Sequence, residues 1–137
     1  MGIATEDDID GWLKEIGLES LQKRTEGNWD FIQRSGDSTI HISIMYASVD
    51  PSKARMIGVG CLFLAPPQKN QCELYKRLLE IQTITQETKF CIVKNGAIML
   101  ITHRSTVDLD LSELKEMIDT VINMYDRFHK DCLSIVS

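Results

Sequence analysis

The sequence predicts one α+β domain, spanning residues 1–137, in which helices pack against an antiparallel five-stranded sheet in the order α-β-β-β-α-β-β-α. Three observations favour this class. Apolar residues recur at helical spacing in three segments, five other segments show the alternation or the continuous apolar character of strands, and an Asn-Gly pair separates the last two of these. A chain of 137 residues is long enough to hold its core without metal or disulfide.

The first helix is predicted over residues 6–16. Thr5 precedes it as an N-cap, Asp8 stands three residues further on, and acidic residues fill the first turn, where they complement the helix dipole. Gly17 then provides a C-terminal stop. Four apolar residues form one stripe along this helix: Ile9, Trp12, Leu13 and Ile16.

Three strands follow the first helix. Residues 28–34 form a short strand, and a turn at 35–38 leads into residues 39–47, where apolar and polar side chains alternate. A second turn at 50–52 leads into residues 56–64. This last segment is apolar on both faces, so we expect it to be a central strand.

Two further helices are predicted in the second half of the chain. One covers residues 71–83, with Asn70 as its N-cap and Glu73 at the capping-box position. The other starts after Asp110, with Glu113 three residues on, and ends near residue 132. Its apolar seam is spaced alternately by three and four residues: Leu111, Leu114, Ile118, Val121, Tyr125, Phe128 and Cys132.

A β-hairpin is predicted between these two helices. Its strands cover residues 89–94 and 97–103, and Asn95-Gly96 forms the two-residue turn. Asn-Gly favours a type I′ turn, which needs a positive φ at both positions.

The sequence shows no sign of a catalytic, cofactor or metal site. The three histidines, His41, His103 and His129, lie far apart, with no cysteine or carboxylate at catalytic or ligand spacing from any of them. The Gly-Val-Gly sequence at 58–60 lies inside an apolar strand and does not open a helix, so it is not a phosphate loop. Glycine inside a strand is more typical of a bulge or a close backbone approach. We therefore expect no enzyme and no cofactor.

Cysteine usage favours the cytosol. Cys61, Cys72, Cys91 and Cys132 are irregularly spaced and lack the paired pattern of a zinc site. We expect them to be reduced and mostly in the core. No apolar run approaches the roughly 18 residues needed to cross a bilayer.

The charge balance argues against polyanionic partners. The formal net charge is −5, and neither nucleic acid nor an anionic membrane is an expected partner. Acidic residues concentrate at 6–10 and 108–116, where helix starts account for most of them. Attraction of a basic partner is the alternative interpretation of these segments.

The second half of the chain resembles a known family. A helix at 74–81 (LYKRLLEI), a hairpin at 89–100 (KFCIVKNGAIML) and a helix start at 108–114 (DLDLSEL) follow one another. This succession is similar to the YbjN family, bacterial proteins described as sensory transduction regulators, and to the wider type III secretion chaperone-like fold. The resemblance covers about residues 73–131. It implies a small acidic homodimer without catalytic residues, and the secretion chaperones of this fold hold an effector segment in extended form.

The predicted function is therefore a non-catalytic, chaperone-like or regulatory protein-binding module. The alternative is a small signalling module such as a roadblock-like regulator of a GTPase. That fold places two strands before its middle helix and three after it, so strand order distinguishes the two. An enzyme is a third interpretation, which a small molecule bound in a polar pocket would favour.

The second helix provides the predicted interface. Leu74, Leu78 and Ile81 form one stripe suited to the sheet, while Cys72, Tyr75 and Leu79 form another, rotated from it by roughly 100° or more. A helix on a sheet buries one stripe. The second stripe is therefore the expected dimer or partner interface, since two-fold dimers are the commonest oligomers. The alternative is that the last helix covers it within one chain.

Overall fold

The computed structural model describes residues 2–18, 22–25, 27–47 and 55–137, with the side chains of 23–25 left out. Its elements, in chain order, are α1 (Glu6–Ile16), β1 (Gln22–Thr25), β2 (Asn28–Ser35), β3 (Ser38–Ala47), β4 (Met56–Leu64), α2 (Gln71–Ile84), β5 (Lys89–Ile92), β6 (Ile98–Ser105) and α3 (Leu111–Val136). The strands form an antiparallel sheet in the order β1-β2-β3-β4-β6-β5. The α+β class is confirmed.

The sheet has one strand more than the five that the pattern predicts. β1 pairs antiparallel with β2, with Lys23 opposite Trp29. Its sequence, QKRT, contains no apolar residue, so periodicity gives no signal for it. The predicted turn at 35–38 is present, with Gly36 at φ 58° between β2 and β3. The predicted turn at 50–52 lies outside the described residues.

β4 lies inside the sheet, between β3 and β6, as its apolar pattern predicts. Gly58 and Gly60 let neighbouring side chains lie across it. A Cβ added to Gly58 would come within 3.1 Å of the His103 ring, and one added to Gly60 within 3.1 Å of an Ile101 side-chain carbon. The predicted close backbone approach is confirmed at Gly60, where the Leu100 carbonyl oxygen lies 3.2 Å from the added Cβ, whereas the close neighbour of Gly58 is a side chain.

Two of the three predicted helix caps are confirmed. The Thr5 side chain accepts a hydrogen bond from the Asp8 N–H in a full capping box, and Asp110 caps α3 by accepting one from the Glu113 N–H at 2.8 Å. The Asn70 cap is wrong. Asn70 is in the left-handed region at φ 56°, and its amide donates instead to the Ile135 carbonyl at 2.8 Å. Asn70 does hold the N-cap position of α2, where its carbonyl accepts from the Leu74 N–H at 3.0 Å, but its side chain satisfies one of the last carbonyls of α3 and makes no capping bond.

The β5–β6 turn also differs from the prediction. Gly96 has a positive φ of 92°, but Asn95 does not. The Gly96 N–H donates to the Val93 carbonyl at 2.8 Å, and the Asn95 side chain accepts from the Ala97 N–H at 3.0 Å. The loop is thus a turn closed from Val93 to Gly96 with a left-handed glycine at its end, a longer connection than type I′.

The core lies between one face of the sheet and the helices. Alternate residues of β2, β3, β4 and β6 are fully or nearly fully buried there, among them Trp29, Ile42, Val59 and Leu100. The α3 seam is buried as predicted, except for Leu111, which is half-buried. On α1, Ile9 and Leu13 are buried, while Trp12 and Ile16 are half-buried.

Candidate functional site

The two apolar stripes of α2 have different surroundings. Leu74, Leu78 and Ile81 are buried, as predicted for the stripe that faces the sheet. On the other stripe, Cys72 is exposed, Tyr75 is half-buried and Leu79 is 68% exposed. We call Cys72, Tyr75 and Leu79 the outer stripe.

The last helix does not cover the outer stripe. α3 meets α2 along its flank, where the Arg77 Nε lies 2.6 Å from an Asp131 carboxylate oxygen. This hydrogen bond raises the pKa of the Arg77 guanidinium. Asn70 adds the contact to Ile135 at the end of α3. These contacts leave Leu79 open, so the alternative of coverage within one chain is wrong for the described residues.

A groove between α2 and β5 extends the outer stripe. It has a volume of about 450 Å³. Its walls are Tyr75, Leu78, Leu79, Gln82, Phe90, Cys91, Ile92 and Ile98. Ile92, at its rim, is 59% exposed. Tyr75 and Leu79 also line a shallow depression on the far side of α2, together with Cys72 and Thr83. We call the outer stripe with this groove the α2/β5 face.

The sequence patterns did not predict the β5 half of this face. Its residues carry no special motif, and their exposure depends on β5 being an edge strand, with β6 as its single neighbour in the described part of the chain. A possible signal was the apolar run at 90–93, which is too long for a short strand with one buried face.

The three histidines lie apart in the structure. His129 stacks on Tyr125 at 4.2 Å and meets the edge of Phe63 at 5.6 Å, and burial lowers its pKa. The sequence predicts His129 on the solvent side of the last helix, whereas the structure places it half-buried in an aromatic cluster. His103 lies over Gly58, and burial, with a contribution from the charge of Lys89, lowers its pKa.

The polar groups beside His129 do not form an acid–base pair with it. They line a pocket of about 300 Å³ between α3 and the β2–β3 turn. The Asp126 carboxylate there accepts a hydrogen bond from the Ser35 hydroxyl. Among the described residues, no group of three or more His, Cys, Asp or Glu side chains is placed to hold a metal ion.

The four cysteines are free thiols in two environments. Cys61 and Cys132 are buried, which raises the pKa of Cys61 to about 12 and that of Cys132 to about 11. Cys72 is exposed and Cys91 half-buried. The expectation of core cysteines is therefore right for two of them and wrong for Cys72 and Cys91, which line the α2/β5 face.

Among solved structures, the chain is similar to a chain in the structure of the HopA1–SchA chaperone–effector complex. The two share 15% sequence identity and a TM-score of 0.63, over 91% of this chain and 92% of that one. No protein-family model matches the sequence, and no curated protein sequence matches it. At this identity the likeness shows the fold, which is type III secretion chaperone-like; the YbjN resemblance stays a prediction.

The order of the elements disagrees with the roadblock-like alternative. In the described residues four strands precede the middle helix α2 and two follow it, whereas that fold has two before and three after. We also find no helix in the described part of the chain with the length and apolar character needed to span a membrane.

Proposed function

We propose that this chain is a non-catalytic protein-binding module, chaperone-like or regulatory, that acts as a homodimer and holds a segment of a partner protein. The α2/β5 face supports this proposal. It exposes Leu79 and Ile92 beside a groove with mainly apolar walls, on a helix whose other stripe is already buried. Burying one such side chain contributes roughly 1.5–3 kcal/mol.

A second copy of the chain is the occupant that we propose for the outer stripe. Two-fold symmetry would place Cys72, Tyr75 and Leu79 of each copy in the same interface, so each contact would occur twice. Stable interfaces commonly bury about 1,600 Å² in total. Three side chains are too few for that area, and the adjoining groove adds further apolar surface beside them.

The partner segment and the compartment belong to the same proposal. The fold is shared with a chain from a chaperone–effector complex, which supports a protein as the partner. The formal charge of −5 disfavours nucleic acid and anionic membranes. Four free thiols fit a reducing compartment such as the cytosol.

Light scattering tests the dimer. At tens of micromolar the wild-type protein should have twice the mass of one chain, and Tyr75→Glu with Leu79→Glu should halve that mass and leave the circular dichroism spectrum unchanged. A matched control is Leu62→Glu, on the uncovered face of β4 and 47% exposed, which should leave the dimer intact. A monomeric wild type, or a dimer that withstands both changes, would contradict the proposal.

Capture from the native lysate, followed by mass spectrometry, tests the partner. The wild-type protein should retain another protein in a fixed ratio, and limited proteolysis of the mixture should leave one protected segment of that protein. Recovery of the chain with no protein in a fixed ratio would count against a holding function.

A further inference from the structure

β5 lies at the edge of the sheet, with β6 as its single neighbour among the described strands. In an antiparallel pair, alternate residues direct their N–H and C=O groups towards the partner strand, and the others direct them away. The Val93 N–H points towards the β6 side, where it donates to the Ala97 carbonyl. Three residues an odd number of positions before Val93 therefore present backbone groups at the outer edge: Thr88, Phe90 and Ile92. The first two lie beside Gln82 of α2.

Gln82 of α2 occupies this outer edge. The Phe90 N–H donates to its Oε1 at 2.8 Å, and its Nε2 donates to the Thr88 carbonyl at 3.3 Å. One primary amide therefore makes both an accepting and a donating bond to residues two apart. The backbone of a further antiparallel strand would make the same pair of bonds.

The position of Gln82 is fixed by its helix. Ile81 and Leu78 are buried, which holds this end of α2 against the sheet, and Gln82 is itself half-buried in the wall of the groove. The packing of α2 therefore holds the Gln82 amide at the strand edge.

We infer that Gln82 is a specificity-determining residue of the α2/β5 face: it occupies the hydrogen-bonding edge of β5 at Thr88 and Phe90, so a second copy docks there through side chains and not by extending the sheet. An open edge is a template for pairing with another chain. The exposed Ile92 and Val93 beside it would make that pairing apolar and indiscriminate. The edge closure stands on the Gln82 contacts alone, whereas its consequence for docking rests on the proposed dimer.

The Gln82 hydrogen bonds also reduce the cost of burying this edge under a partner. When a second copy covers the groove and removes its water, an unpaired backbone N–H or C=O would destabilise the complex, because that group would lose its hydrogen bond to water. The Phe90 N–H and the Thr88 carbonyl already have their partner within the chain. The face can therefore lose water without leaving these two groups unsatisfied.

Amide hydrogen exchange tests the edge closure without the dimer. In the background of Tyr75→Glu with Leu79→Glu, Gln82→Leu should accelerate exchange of the Phe90 amide at least tenfold. Gln86→Leu, an exposed glutamine four residues on, should not change it. If Gln82→Leu does not fold, Gln82→Asn replaces it, because an amide one methylene shorter cannot reach both backbone groups. An unchanged Phe90 exchange rate in the folded variant would overturn the inference.

Light scattering tests the consequence for docking. With the outer stripe intact, Gln82→Leu should form species of larger mass than the wild type at tens of micromolar, and Gln86→Leu should not. A wild-type monomer would end the proposed dimer, yet Gln82→Leu should still self-associate through the opened edge. A Gln82→Leu mass equal to that of the wild type would overturn the docking inference in either case.

Discussion

The two stripes of α2 both carry hydrophobic side chains, but they differ in what covers them. One stripe is buried in the core: Leu74, Leu78 and Ile81. On the other stripe, Leu79, which directly follows Leu78, is 68% exposed. A surface helix normally places polar residues opposite its buried stripe. α3 follows that rule more closely, since charged side chains fill most of its exposed positions. The contrast within α2 supports the proposal that the outer stripe makes a contact outside the chain.

Truncating one leucine of each stripe should separate packing from docking. Leu74→Ala removes a fully buried side chain and should lower the free energy of unfolding by about 2–5 kcal/mol. Leu79→Ala, measured at protein concentrations low enough to keep the chain monomeric, should lower it by less than ~1 kcal/mol, because little surface is buried there. Urea denaturation of both variants measures the difference. Equal losses would mean that the outer stripe is packed within the chain.

A smaller loss is expected at the turn that ends β5. Gly96→Val places a β-branched residue at φ 92° and should cost about 1–2 kcal/mol. The added Cβ would meet only Pro66, at 3.5 Å, so the cost is conformational and not steric. Gly11→Ala, inside α1 with open space around it, is the matched control and should raise stability by about 0.4–1 kcal/mol. An unchanged melting temperature for Gly96→Val would show that the left-handed glycine is dispensable.

The reactivity of the cysteine thiols distinguishes the outer stripe from the core. Cys72 on the outer stripe should react with a thiol reagent, and about tenfold faster in the Tyr75→Glu, Leu79→Glu monomer than in the dimer. Cys61 and Cys132 should stay unreactive in the folded protein, because burial raises the pKa of both thiols. Labelling followed by peptide mass spectrometry measures each site, and the intact mass should show no disulfide. Equal Cys72 rates in monomer and dimer would place the interface elsewhere.

Local patterns predicted most of the fold because they report burial. The bounds of α1 and β4 agree with the prediction, since the alternation or spacing of their apolar residues follows directly from which side faces the core. β1 was missed because an edge strand can form through backbone pairing alone. Asn70 was misassigned because its partner carbonyl, on Ile135, lies 65 residues away in sequence.

The candidate site was predicted only where it lies on one helix. Cys72, Tyr75 and Leu79 share a face by helix geometry, so their stripe can be derived from the sequence. The role of Gln82 cannot, because it depends on β5 being at the edge of the sheet and on α2 lying beside it. Strand order is a property of the whole chain.

The smallest effect on stability should come from pH, and it should act on the core and not on the outer stripe. Burial lowers the pKa of the His129 imidazole in the folded chain. Asp37, Asp126 and Lys130 face the same pocket, and Tyr125 stacks on the ring. Because the folded state binds the proton less readily than the unfolded state, the stability contribution is complete at pH 7 and decreases as the pH falls below about 6.5.

Thermal unfolding between pH 7 and pH 5 measures this effect on stability, and the dimer dissociation constant over the same range measures any effect on the outer stripe. The melting temperature should fall with pH by less than the Gly96→Val shift, and His129→Gln should reduce the slope. His129→Gln should not abolish the slope, because burial also lowers the pKa of His103. Asp110 lies outside this window, because its pKa is already lowered from an ordinary value of 3.8 by the Glu113 N–H. The dimer dissociation constant should stay unchanged over the same range, because neither His129 nor His103 belongs to the outer stripe. A dissociation constant that rises as stability falls would mean that the stability of the core and the affinity of the α2/β5 face are coupled.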